Sequence, residues 1–317
     1  MKRLRSLLVA TALCALPASA QADVKVLASI KPVHSLVAGV MQGAGNPELI
    51  VDGSASPHDY ALKPSQAKAL ADAQLVFWIG SGLEGFLEKP LKNIAGKATA
   101  VPLAQAEGVD HLGFRELDEI GKKDDHDHGH KHGHDHSHGH DHASEDDPHI
   151  WLDPRNAAAM VTAIEAALVK ADPENTETYS KNADALRSRL TDLEKQIAEQ
   201  VAPLKDARFV VFHDAYQYFE RRFGLAASGA ITLTPETAPG AQHVKKVAKR
   251  IRDLGVTCVF SEPQFEPKLV SVVSEGSSAR SAELDPLGAG LEAGPEHYFQ
   301  LLTNMSASMR DCLSAKS

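Results

Sequence analysis

The chain has 317 residues, 43% of them hydrophobic, with 33 basic against 42 acidic side chains and a formal charge of −9. A chain of this size buries a substantial core and suggests about two domains. The acidic balance, with no long basic stripe, argues against nucleic acid as a partner and suits a small cation better.

The first 22 residues read as a removable leader. Lys2, Arg3 and Arg5 precede the apolar run Leu7 to Leu16, then Pro17 and the small residues Ala18-Ser19-Ala20, the three zones of a secretory signal peptide. The run falls short of the about 20 apolar residues that a membrane span requires. Lipid attachment at Cys14 is the alternative, opposed by the bulky Leu13 before it. Cleavage after Ala20 or Ala22 removes three positive charges and no acid, taking the charge from −9 to −12. No later segment is long and apolar enough to span a bilayer.

Short runs rich in Val, Leu and Ile then alternate with helix-like stretches. VKVLASI (24–30), ELIVD (48–52), LVFWIG (75–80) and TAVPL (99–103) predict four strands, and FVVFHD (209–214), AASGAITL (226–233), TCVFSEP (257–263) and SAELDPLG (281–288) predict four more. The alternation predicts parallel strands with crossover helices. The fold class is therefore α/β, two lobes each with a mainly parallel sheet flanked by helices, over residues 23–171 and 205–317. Between them, over 172–204, Tyr179, Ala183, Leu186, Leu190, Leu193, Ile197 and Val201 recur every three or four residues as one apolar stripe. This predicts a long linker helix with Asp172 as N-cap, Pro173 in the first helical position and Pro203 as its stop. The Gly80-x-Gly82-x-x-Gly85 pattern resembles a dinucleotide fingerprint, but it follows the third strand and Pro90 interrupts the next helix. It reads as a tight turn.

The stretch Asp124 to His142, DDHDHGHKHGHDHSHGHDH, holds nine histidines: His126, His128, His130, His132, His134, His136, His138, His140 and His142. With no apolar periodicity, residues 121–147 are expected to form a mobile loop carrying low-affinity metal sites. Flexible ligands lose conformational entropy on binding, so each such site is weaker than a preorganised one. A passive solvated tract and a sensor of abundant metal are the other readings of the loop.

Seven histidines remain, and three have distinctive settings. His58 follows the strand ELIVD, His149 lies where the loop rejoins the fold, and His213 ends FVVFHD; Asp285 ends the last strand. Ligands of open α/β sheets bind outside the carboxyl ends of strands, yet these residues lie 64 to 91 positions apart, so spacing alone identifies no metal site. His34 is expected to cap or line a cleft, and His111, His243 and His297 to lie on the surface. Cys258 and Cys312, an even pair in an exported chain, are expected to form a disulfide. Glu262 is a candidate acceptor for orienting a ligand histidine.

PHDYALKPSQ, GSGLEGF, DPHIWLDPRNA, VVFHDAYQYF, SEPQFEP and LDPLG follow in this order over nearly the whole mature chain. The combination resembles the zinc-binding branch of the periplasmic solute-binding proteins that serve metal ABC importers. The resemblance implies two lobes joined by a rigid helix, a single Zn²⁺ held between them by His58, His149, His213 and Asp285, and a periplasmic, monomeric carrier that docks on a membrane permease. A periplasmic zinc chaperone is a further expected partner. Some zinc-binding relatives carry a glutamate where this chain has Pro57, which leaves Asp285 or a water to complete the shell. Manganese-binding relatives carry a glutamate at the position of His213, and three imidazoles with one carboxylate suit tetrahedral zinc. The rivals are a manganese or iron carrier of the same fold, a storage protein, and, from another class, a zinc hydrolase with an open coordination position.

Overall fold

A computed structural model describes residues 24–115, 146–232, 235 and 238–314. The expected leader over residues 1–22 and the nine histidines from His126 to His142 lie outside the described residues.

All eight expected strands form. β1 (Val26–Ile30), β2 (Glu48–Val51), β3 (Leu75–Trp78) and β4 (Thr99–Pro102) make a parallel sheet in the order β2-β1-β3-β4. β5 (Phe209–His213), β6 (Gly229–Thr232), β7 (Cys258–Ser261) and β8 (Arg280–Glu283) repeat the arrangement as β6-β5-β7-β8. β1, β3 and β5 are buried along their whole length. Helices cover both of their faces, which is why they read as continuous apolar runs rather than as alternating patterns. In both sheets the order reverses beside the first strand, so the crevice at the carboxyl ends opens there.

The helices of the first lobe are α1 (Lys31–Met41), α2 (Pro64–Asp72), α3 (Gly85–Asn93) and α4 (Pro154–Ala171). The long helix α5 (Thr176–Val201) leads into the second lobe, with α6 (Gln217–Phe223), α7 (Ala241–Leu254), α8 (Lys268–Ser274) and α9 (His297–Ser314). All seven residues of the expected stripe on α5 are buried, and they pack against α1, α4 and α9. The helix begins later than its sequence signals suggest. Residues Pro173–Asn175 form a separate 3₁₀ turn, because the Asp172 carboxylate accepts from Asn175 Nδ2 (2.8 Å) and the Tyr179 hydroxyl (2.7 Å) instead of capping a helix backbone.

Because α9 of the second lobe packs on α1 of the first, one apolar cluster runs through both lobes and α5. A second cluster fills the far face of the second sheet beneath α7 and α8. Cys258 on β7 and Cys312 on α9 form the expected disulfide across 54 residues, pinning the terminal helix to the sheet. No helix among the described residues is long and apolar enough to cross a membrane.

Replacing Leu190, fully buried on α5, with alanine should lower unfolding stability by about 2–5 kcal/mol in denaturant titration. Replacing both cysteines with serine should cost up to about 4 kcal/mol in the same assay, the chain entropy released when a loop of this length opens.

Candidate metal centre

Three local structures each present one imidazole. His58 sits in the 3₁₀ turn Pro57–Asp59 that follows β2, its backbone N–H donating to Ser56 Oγ at 3.3 Å. His149 precedes the 3₁₀ turn Ile150–Leu152 and is held by Asp147, whose Oδ1 accepts from both its backbone N–H (3.0 Å) and its ring Nδ1 (2.7 Å). His213 closes β5, and Glu262, just beyond β7, accepts from its Nδ1 at 2.7 Å. A carboxylate on Nδ1 selects the tautomer that leaves the lone pair on Nε2.

Those Nε2 atoms converge. His149 Nε2 lies 3.2 Å from His58 Nε2 and 3.3 Å from His213 Nε2, and these three residues form a group able to hold a metal ion. A tetrahedron with Zn–N bonds of 2.0–2.1 Å has an edge of about 3.3–3.4 Å, so the spacing suits three ligands of one zinc ion. With Nδ1 of His149 and His213 each held by a carboxylate, both Nε2 atoms are turned toward the point of convergence. A metal cation at that point would accept the lone pair of each ring.

The electrostatics separate the rings. Burial, with His149 and His213 beside it, pushes His58 down to about 2, so it stays neutral near physiological pH. Burial alone would lower His213 as well, but the Glu262 carboxylate outweighs it and raises the group above the ordinary imidazole value. Trp151, Phe265, Pro286 and Leu287 wall the site, and this apolar lining limits water and strengthens each polar contact inside. The space at the point of convergence is small, ≈10 Å³, about the room one water or ion requires.

Asp285, the expected fourth ligand, is not part of the three-imidazole group. Its carboxylate is taken by its own turn: Oδ1 accepts from Leu287 N (2.9 Å) and Gln264 Nε2 (2.9 Å), and Oδ2 from Ala289 N (2.5 Å). Glu262 occupies the place expected of an orienting acceptor. Asp147, its counterpart behind His149, was not singled out from the sequence; the Asp-Pro-His spacing was the available signal, since an Asp side chain readily accepts from the backbone two residues on. His297, expected on the surface, is instead buried: its Nε2 lies 2.9 Å from Leu287 O and its Nδ1 3.2 Å from Glu292 O, ties that hold the loop after β8. His243 is partly buried, and only His111 of that trio is exposed, 3.3 Å from Asp146. His34 is buried, its Nε2 3.1 Å from Pro47 O. Gly80 adopts φ 148 in the expected turn, a value open to glycine, and its N–H donates to Glu84 Oε2 at 3.0 Å.

Two parallel α/β lobes joined by a long helix, with an imidazole cluster drawn from both, define a two-lobed metal-binding solute-binding protein. Comparison with known proteins narrows the class. Residues 26–312 match the family described as zinc-uptake complex component A, periplasmic (ZnuA), and the chain belongs to that family. It is 47% identical over 336 residues to the high-affinity zinc uptake system protein ZnuA of Brucella suis biovar 1, covering 99% of this chain and 100% of that protein. It is 34% identical over 320 residues to the protein of the same name from Yersinia pestis, with 98% of each covered. A ZnuA crystal structure superposes with a TM-score of 0.76 at 25% identity, covering 92% of this chain and all of that one.

Glu262→Gln and Asp147→Asn should each weaken metal binding about 10- to 100-fold, measured by competition with a chelator of known affinity, because each change removes the anionic partner that aims a ligand ring.

Proposed function

We propose that this chain is a periplasmic zinc carrier: it takes Zn²⁺ between its lobes through His58, His149 and His213, and passes it to the membrane permease of an ABC importer. The observation that carries this reading is the convergence of the three imidazoles, with His149 Nε2 3.2 Å from His58 Nε2 and 3.3 Å from His213 Nε2 and all three ligand atoms within 4.8 Å of one another, two of the rings being aimed by carboxylates. The zinc-uptake names of the relatives agree with it. An all-nitrogen triad favours zinc over manganese, which prefers more oxygen ligands and higher coordination. Copper binds such donors at least as tightly, so selection in the cell also depends on which metal is available.

The zinc-uptake names of the relatives favour a carrier over a hydrolase. Release follows from the division of the ligand set. His58 and His149 belong to the first lobe and His213 to the second, so a small relative shift of the lobes removes one imidazole and opens the shell. The shared apolar cluster and α5 restrict that shift to a modest shear rather than a wide hinge. In this reading the leader is cleaved, the carrier works as a monomer, the histidine run gathers zinc weakly, and a periplasmic zinc chaperone is a further partner.

Calorimetric titration tests the assignment. His149→Ala or His213→Ala should abolish tight zinc binding, whereas deletion of residues 124–142 should leave it intact and lower only the weak stoichiometry. The reverse ranking would overturn the proposal and favour storage in the loop. Competition titration against Mn²⁺ and Fe²⁺ should show zinc bound far more tightly, and a preference for either rival would point to the other carrier.

Proton competition has a definite sign. Zinc requires neutral His213, whose pKa stands above the ordinary imidazole value. Apparent zinc affinity should therefore fall as pH falls, and binding near neutral pH should release protons. Calorimetry in buffers of different ionisation enthalpy measures the release, which should shrink in Glu262→Gln.

A further inference from the structure

Three imidazoles leave one position of a tetrahedral ion to be filled, and Asp285 is committed elsewhere. Among the described residues, the remaining polar side chains lining the cavity are Ser56, Glu262 and Gln264, besides Trp151. Trp151 Nε1 donates to Pro286 O at 2.8 Å, and an indole accepts nothing. Ser56 Oγ accepts from the backbone of His58. Glu262 holds His213 by Nδ1 through its Oε1, on the edge of the ring away from Nε2.

Glu262 Oε2 and Gln264 Oε1 are both buried without a hydrogen-bond partner, but only Gln264 is free of a ligand histidine. Its Nε2 donates to Asp285 Oδ1 at 2.9 Å, while its Oε1 is buried without a hydrogen-bond partner. The amide cannot turn over, because a flip would set its oxygen against a carboxylate oxygen. Asp285 in turn is held by the backbone N–H groups of Leu287 and Ala289. A chain of fixed contacts thus runs from that turn through Asp285 to an uncommitted carbonyl oxygen on a residue that lines the metal cavity. An unpaired buried acceptor costs stability unless a ligand or water satisfies it.

We infer that Gln264 Oε1 completes the zinc site by accepting a hydrogen bond from the water in the fourth coordination position, and that Asp285 acts as a positioning residue for Gln264 rather than as a ligand. This rests on the zinc-carrier reading and deepens it. A neutral amide in that place leaves the bound ion one negative charge short of a His₃-carboxylate shell. The fourth position is then exchangeable, which suits a carrier that must give its cargo up.

The test compares Gln264→Leu with the wild type using Zn²⁺ competition and the visible ligand-field bands of the Co²⁺-substituted protein, with thermal unfolding of the metal-free forms as a folding control. The expected result is about tenfold weaker zinc binding, the equivalent of one hydrogen bond to a charged group, with shifted cobalt bands and an unchanged unfolding midpoint. Unchanged affinity and bands would overturn the inference. A zinc-loaded crystal structure of the wild type decides it independently of any variant: metal-bound water within hydrogen-bond distance of Gln264 Oε1 supports it, and an Asp285 oxygen on the metal overturns it. His149→Ala separates the two levels. If that variant loses zinc while Gln264→Leu does not, only the role of Gln264 fails; if neither loses zinc, the carrier site itself is misplaced.

Discussion

The site depends on two buried imidazoles, each held at its far edge by a carboxylate. Asp147 and Glu262 take the Nδ1 edges of His149 and His213, so the two Nε2 atoms point inward at hydrogen-bond spacing. Elsewhere in a protein interior such an arrangement would relax by a ring flip or a small displacement. Here both rings are more than 95% buried, at 4% and 3% exposure, and each is held at its far edge by a carboxylate that is itself buried. The folded chain holds the ligands in their bound geometry in advance, and preorganisation of this kind reduces the ordering cost of binding.

The same cluster is also where the lobes meet, and a set of polar contacts repeats the junction around it. Trp151 Nε1 donates to Pro286 O at 2.8 Å, and the Tyr298 hydroxyl donates to Trp151 O at 2.6 Å. Lys31 Nζ, at the start of α1, reaches across to Ala289 O (3.0 Å) and Leu291 O (2.9 Å). Arg222 pairs with Asp153 at 2.6 Å. These bonds hold the second lobe against the first at several points around the site, beyond what the apolar core alone supplies.

Helix α6 links the site to the segments that flank the histidine run. Gln217 Nε2 donates to Gly113 O and to Asp147 Oδ2, both at 3.1 Å, and the Tyr218 hydroxyl donates to Asp147 O at 3.0 Å while accepting from Leu112 N. Arg115 forms ion pairs with Asp214 and Glu220, and Asp214 adjoins His213 in the chain. Both flanks are thus bonded to the second lobe beside the ligand set, even though they belong to the first in sequence.

Much of this protein is written locally. Eight strand runs, the seven-residue stripe of α5 and the pairing of the last two cysteines follow from apolar periodicity and cysteine count, because burial on two faces of a sheet or one face of a helix leaves a pattern that neighbouring residues share. His58, His149 and His213 stand out for a similar reason, each lying beside a strand end or a loop junction. Chain position could not assign the partners. Asp285 stands out in sequence because it ends a strand, and the resemblance makes it a ligand; in the fold its oxygens accept from its own turn and from Gln264. Asp147 and Gln264 look unremarkable until folding brings them to the cavity, and His297 looks exposed until the loop after β8 closes over it. Local sequence determined which elements form and which residues could bind a metal. Only tertiary structure decided which of those residues meet, because hydrogen-bond commitments are settled between atoms far apart in the chain.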